Sequence, residues 1–292
     1  MRSIGRMLKE DWELAVASGK RLWDAGSTNL AGMLAFYSLL SLFPLILVLV
    51  AMLGLWAGSP QAVAQLLDLL SEFAPEAVVQ TIKGPLTSIS QNANGAGVAI
   101  SVGLIVSLWS ASGYVGTFGW ASNAVEGVRE KRPYLGRLFQ RLGIACLAIA
   151  AMVAAFATIA LSQRAARWLG KWSGSPDTFL QVWSYLRWPI FVGLAFLLVV
   201  ILMGYAPFIP SRRLRHVMPG ALVGIVLWGL ASQGFSIYLD FFNYYNKTYG
   251  AIATFIVFLL WLWLFNLALL YGESVNAELH ARRRGLLPAK RE

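Results

Sequence analysis

Six long uncharged intervals dominate the chain. They cover residues 25–67, 84–125, 142–163, 188–211, 216–239 and 248–272, and the next longest, 178–186, has only nine residues. A hydrocarbon core about 30 Å thick takes about 20 apolar residues per crossing helix. The pattern therefore predicts six transmembrane helices, over about 30–56, 97–124, 142–163, 188–208, 217–239 and 249–277. Before the first of them, Met7, Leu8, Trp12, Ala15, Val16, Leu22 and Trp23 recur at helical spacing, with Lys9, Glu10, Glu13 and Lys20 elsewhere. That is the signature of an amphipathic helix lying in the membrane plane. Between the first two spans, Val63, Leu66, Leu67, Leu70 and Phe73, then Pro75, then Val78, Val79 and Ile82 predict a second amphipathic piece on the opposite side. Residues 91–97 (QNANGAG) read as a polar turn into the second span, and 240–249 (DFFNYYNKTY) as an aromatic belt or a docking surface. The expected fold is all-α and polytopic, with six transmembrane helices and interfacial amphipathic helices on both sides. Residues 1–28 form the N-terminal amphipathic helix, 29–280 one membrane domain and 281–292 a basic tail.

Composition agrees. Charged residues make up 13% of the 292 and hydrophobic ones 58%, with a mean hydropathy of +0.62. A soluble domain is about a quarter charged, so a soluble globule is excluded. The first 24 residues are polar and mixed in charge, which does not suit a cleavable signal peptide. Alternate connecting segments hold 18 Lys and Arg against 6, and the positive-inside rule then places both termini in the cytoplasm. Arg164, Arg167, Lys171 and Arg187 fall on the predicted outer side beside Trp168, Trp172, Trp183 and Trp188, where they suit headgroup contacts. The net charge of +10 follows from topology and anionic membrane lipids, the expected partners, and calls for no nucleic acid. The single Cys146 supports neither a disulfide nor a metal cluster.

Polar residues inside the spans are the candidate chemistry. Pro44 interrupts the hydrogen bonding of the first span, with Tyr37 and Ser41 on its face, and suits a packing bend or a substrate-facing break. On the second span Ser112, Gly116, Gly119, Asn123 and Glu126 fall within an arc of about 80°. Small residues there let another helix approach closely, and the polar end suits either a packing seam or a groove. On the sixth span Asn266, Glu273 and His280 share an arc of about 40°, with Asn276 nearby. A carboxylate at the depth of Glu273 needs a partner or a proton. Arg129, Arg132 and Arg137, or Asn123 and Glu126, are the candidate partners.

Residues 29–47 (NLAGMLAFYSLLSLFPLIL), 110–135 (SASGYVGTFGWASNAVEGVREKRPYL) and 249–278 (YGAIATFIVFLLWLWLFNLALLYGESVNAE) resemble the three signature regions of the YihY/virulence factor BrkB family. In order these are AFYSLLSLFP, an ExxRP-like turn and a GExxNAE-like segment. The resemblance implies a bacterial inner-membrane protein with six helices. Some members have carried a ribonuclease label, and one is associated with resistance to serum killing. Metal-dependent RNA hydrolysis needs clustered ligands, whereas His216 and His280 sit on different helices and seven of the fourteen acids lie before residue 84 without ligand spacing. No phosphate-binding loop or nucleophile elbow is present, so no enzyme activity and no cofactor are expected. The preferred expectation is a transporter or flippase-like protein for a lipid or amphiphile, with Arg129, Lys131, Arg132 and Arg137 holding a phosphate. Asn123, Glu126, Asn266, Glu273 and Asn276 would line the route. The alternative is a non-transporting scaffold that docks a periplasmic or envelope protein.

Overall fold

A computed structural model describes residues 4–57, 83, 93–160, 176–209, 213–241 and 243–283, and is helical in every element. In chain order the helices are α1 (Ile4–Asp24), α2 (Ser27–Ala57), α3 (Ala93–Glu126), α4 (Tyr134–Ala160), α5 (Pro176–Tyr205), α6 (Met218–Phe241) and α7 (Asn243–Arg283). A single 3₁₀ turn, Leu214–His216, leads into α6. Among the described residues five stretches are long and apolar enough to cross a membrane: Ser27–Ile46, Ser101–Glu126, Tyr134–Ala154, Met218–Phe235 and Phe255–Arg283. The expected fourth span lies on α5, whose apolar part is the shorter Val192–Tyr205.

Two boundaries differ from expectation. Residues 93–97 of the expected polar turn already belong to α3, and the aromatic run from Asn243 onward is the first part of α7. Neither proline nor a further glycine stands between Asn243 and Gly250, so nothing in that stretch breaks a helix. The amphipathic piece expected at 60–82, Arg164, Arg167 and Lys171, and the tail beyond 283 lie outside the described residues.

The distribution of polarity is inverted relative to a soluble protein. Trp109, Ile105 and Leu230 are 77%, 68% and 64% exposed, while Ser107, Ser110, Ser112, Ser122, Asn123, Asn266, Glu273, Ser274 and Asn276 are buried. Hydrocarbon satisfies the first group. In the second, Asn123, Asn266 and Asn276 bond beyond their own helices and Ser274 bonds to the Leu270 carbonyl of its own helix, while Ser107 Oγ and Ser122 Oγ are buried without a hydrogen-bond partner among the described residues.

The chain divides into two compact units. One comprises residues 40–111 and 142–198. Here α2 continues through Pro44, and α3 comes close at Gly103, where a Cβ would stand 2.8 Å from Val48 Cγ2 and 3.3 Å from the Pro44 carbonyl oxygen.

The other unit comprises residues 1–39, 112–141 and 199–292. Its firmest seam joins α6 to α7. Gly220 and Gly224, four apart on α6, meet Gly272 and Ala268, four apart on α7, with backbone against backbone. Around the seam Trp228 packs edge-on to Phe265 at 5.4 Å, and Trp261 Nε1 donates to Ser232 Oγ at 3.1 Å. Helix α1 docks on the same helix α7. Tyr271 Oη donates to the Ala15 carbonyl at 3.0 Å, and Arg21 pairs with Glu278 at 3.2 Å while also donating to the Val125 carbonyl at the end of α3. Trp12, Val16 and Trp23 of α1 remain exposed. Their positions fall within about 40° of one another on the helix, the outward apolar face that the sequence pattern predicts.

Candidate functional site

The site begins where α3 stops. Gly127 adopts a left-handed φ of 70°, its N–H bonds to the Ala124 carbonyl at 3.2 Å, and the Val128 N–H bonds to the Asn123 carbonyl at 2.9 Å. This two-bond ending satisfies the last carbonyls of the helix and turns the chain sharply. The turn carries Arg129–Pro133 across to α4, whose first turn closes with the Arg137 N–H on the Pro133 carbonyl at 3.1 Å.

Within the turn Glu130 and Arg132 pair side-on. Arg132 Nη2 donates to Glu130 Oε2 at 2.6 Å, and both Nε and the backbone N–H of Arg132 donate to Oε1 at 2.9 Å. The remaining donors of Arg132 go to the carbonyls of Tyr205 and Ala206 at the end of α5 and to the side chain of Gln140, which itself donates to the Tyr205 carbonyl. The guanidinium also lies over the Phe208 ring, 5.5 Å from its centroid. All five donor positions of an arginine are therefore engaged within the protein. Arg132 is a clamp that ties the α3–α4 turn to the α5 terminus. Asn123 completes it, accepting from the Phe208 N–H at 2.7 Å and donating to Glu130 at 3.4 Å.

The hydrogen bond from Arg132 holds the Glu130 carboxyl well down, to about 2 from an ordinary 4.5, with help from Asn123. The folded value is depressed, so the clamp contributes its full stability above about pH 4.5 and loses it as pH falls toward 2. Over that window the thermal midpoint of the parent is expected to fall more steeply than that of Glu130→Gln. Equal slopes would show that the clamp does not couple to folding.

Beside the clamp lies a cavity of about 60 Å³ lined by Val115, Gly116, Gly119, Trp120, Asn123, Glu130, Arg132, Arg137, Gln140, Arg141 and Ala206. Glycines give it room. A Cβ on Gly116 would stand 2.6 Å from the Arg141 guanidinium carbon, and one on Gly119 would stand 2.7 Å from the Ala206 carbonyl oxygen. Arg137 turns toward the Tyr134 ring at 6.0 Å, and its Nε is buried with no partner. Neither Arg137 nor Arg141 forms an ion pair among the described residues. Three arginines against one glutamate leave the lining with two positive charges. Apolar surface adjoins it at Trp120, which lines the cavity while 57% exposed; Leu135 and Phe139, also exposed, lie on the face of α4 opposite Arg137.

The cavity thus unites Asn123, Arg132, Arg137, Gly116 and Gly119, but not the other residues singled out from the sequence. Arg129 is exposed, and Ser112 is buried. Glu126 lies 3.4 Å from His280 Nδ1 across α3 and α7. Asn266 accepts from Tyr114 Oη at 2.9 Å and donates to Ser38 Oγ and the Leu262 carbonyl, a satisfied polar joint between helices. Asn276 accepts from the Gly220 N–H at 2.9 Å and donates to the Val217 carbonyl at 3.1 Å, so it caps the start of α6 from another helix. Glu273 is fully buried. None of its three candidate arginines pairs with it, since Arg132 is engaged by Glu130, Arg137 lies over Tyr134 and Arg129 faces outward. His216, in the 3₁₀ turn, is held below the ordinary histidine range by desolvation and then by Arg283, Arg215, Arg213 and His280. Among the described residues no three His, Cys, Asp or Glu side chains are placed to share a metal ion.

Sequence reasoning missed Glu130, Gln140 and Arg141. Arg141 stands four residues after Arg137, a spacing that puts both on one helical face. It also missed the seam of Gly220 and Gly224 against Ala268 and Gly272, whose four-residue intervals on two neighbouring helices are a known close-packing signal.

Of the three signature regions recognised in the sequence, the second, 110–135, lines this cavity at Val115, Gly116, Gly119, Trp120, Asn123, Glu130 and Arg132, and a family comparison agrees with the resemblance. The chain matches the sequence model of virulence factor BrkB over residues 18–292. It belongs to the BrkB family. A ribonuclease-like protein of Bacillus subtilis, YfkH, is 28% identical over 86% of the chain and 89% of its own length. UPF0761 membrane proteins of Stenotrophomonas maltophilia (strain R551-3) and Nitrosospira multiformis are 28% and 26% identical over 92% and 90% of the chain. The chain spans only 62% and 60% of those two proteins. No solved structure matches. Membership in a family of membrane proteins accords with the five long apolar helices and the inverted polarity described above.

Proposed function

We propose that this BrkB-family protein moves an anionic lipid or amphiphile across the bacterial inner membrane, as a transporter or flippase-like protein. Its headgroup is received in the arginine-lined cavity between α3 and α4. One observation carries the reading: Arg137 and Arg141 bring unpaired guanidinium donors to a cavity whose wall, at Trp120, continues onto exposed apolar surface. A charged headgroup and an apolar tail need that adjacency. The Lys and Arg asymmetry of the sequence supports an orientation with both termini, and the cavity, on the cytoplasmic side. No nucleotide-binding motif is present in the chain, so uphill movement draws on an ion gradient or on a partner.

The test is flux of a fluorescent anionic phospholipid between leaflets of proteoliposomes. Each charge-assisted hydrogen bond contributes about 1.5–3 kcal/mol. The double variant Arg137→Ala, Arg141→Ala is expected to lose at least about tenfold in rate while reconstituting normally. Unchanged flux in that variant, or a parent no faster than empty liposomes, would sink the proposal.

A further inference from the structure

The cavity carries information about which anion it takes. We propose that the ligand headgroup is a terminal phosphate monoester on an apolar tail, an inference that rests on the functional reading above and narrows it.

Three features of the lining point the same way. The first is charge. Two net positive charges complement a phosphate monoester, which carries about −1.5 to −2 at neutral pH, better than a phosphodiester carrying one. The second is the absence of an acceptor for a cation. Glu130, the one carboxylate in the lining, receives three donors from Arg132, and its other bond comes from Asn123. A headgroup ammonium therefore meets arginines and finds no carboxylate that is not already bonded. Zwitterionic amine headgroups are disfavoured by like charge as well as by the missing partner.

The third is size. A cavity of about 60 Å³ compares with the about 10–15 Å³ that one water requires on the same kind of measure. That accommodates a phosphate group within the enclosed part of the cavity. Arg137 and Arg141 are the expected ligands, since each retains guanidinium N–H groups while Arg132 retains none. Gly116 is part of the same device, because its missing side chain is what leaves the Arg141 guanidinium its place.

The experiment uses the full chain in nanodiscs of phosphatidylcholine doped equally with phosphatidic acid, a monoester, and phosphatidylglycerol, a diester. Native mass spectrometry then reads the retained lipids. Phosphatidic acid is expected to be enriched about tenfold over phosphatidylglycerol in the parent, and Arg137→Gln or Arg141→Gln is expected to abolish that preference. Arg141→Lys, which keeps the charge and removes the planar fork, should retain anionic lipid with a reduced preference. It guards against misreading a variant that fails to fold.

Equal retention of the two anionic lipids, lost in both glutamine variants, would overturn the monoester assignment and leave the functional reading standing. Retention of neither above phosphatidylcholine would overturn both. Inorganic phosphate is added as a competitor to separate the two sources of the same chemistry. If low millimolar phosphate empties the site of lipid, the cavity is a site for the free ion and the lipid assignment fails. Persistence of phosphatidic acid supports it.

Discussion

A single methyl group added at Gly220, as alanine, is expected to lower the thermal midpoint of the purified protein by roughly 5–10 °C. The new Cβ would fall inside contact distance of the Gly272 carbonyl oxygen and of the Asn276 amide. Both are fixed. The first is helix backbone, and the second is held by the Gly220 N–H and the Val217 carbonyl. Overpacking of a tight core typically costs about 1–3 kcal/mol, and displacing Asn276 leaves buried backbone groups without partners at about 1–3 kcal/mol more. For a chain of this size each kcal/mol lowers the midpoint by about 2–4 °C. Gly229→Ala is the control. It lies on the same helix α6 with nothing within 4 Å of the added Cβ, so it should leave the midpoint unchanged or raise it. Similar melting of the two variants, followed by fluorescence in detergent, would contradict the tight α6–α7 seam.

Gly116→Ala is expected to do the reverse, sparing stability and removing function. Its Cβ would stand 2.6–2.8 Å from the guanidinium of Arg141, the far end of a flexible side chain that can swing aside. Swinging aside costs little in folding, yet it takes one of the two available cationic ligands out of the cavity. Loss of one charge-assisted contact of about 1.5–3 kcal/mol corresponds to at least about a tenfold loss of lipid retention. The midpoint should move by less than about 2 °C. Gly143→Ala, on α4 with open space around the added Cβ, should affect neither quantity. A Gly116→Ala protein that keeps its lipid would show that Arg141 does not need its present position. One that unfolds would show that the glycine serves packing alone.

The two glycines illustrate what the sequence disclosed. Helices were legible because each leaves a long gap between charges, and α1 was legible because its apolar residues recur on one side. Polar faces on α3 and α7 were legible too, but not what each polar group meets. Asn276 bonds to backbone groups at Val217 and Gly220, and Arg132, besides Glu130 and Gln140, reaches the carbonyls of Tyr205 and Ala206 at the end of α5. Such partners carry no side-chain signature, so spacing alone could not tell a capping residue from one that lines a route. Arg132 looked like the phosphate ligand because it is basic and near a turn. Its neighbour Glu130 neutralises it, and the unpaired donors lie one and two helical turns later, on Arg137 and Arg141.

In the proposed arrangement an anionic headgroup sits between α3 and the first turns of α4. A phospholipid carrying a photoreactive group next to its phosphate, reconstituted with the full chain and irradiated, tests it directly by peptide mapping. Labelling is expected to concentrate on residues 115–141, and to fall at least about fivefold in Arg137→Ala, Arg141→Ala, a fraction of the loss that about 1.5–3 kcal/mol per contact allows. Labelling spread evenly over the exposed apolar faces, and equal in parent and variant, would contradict it.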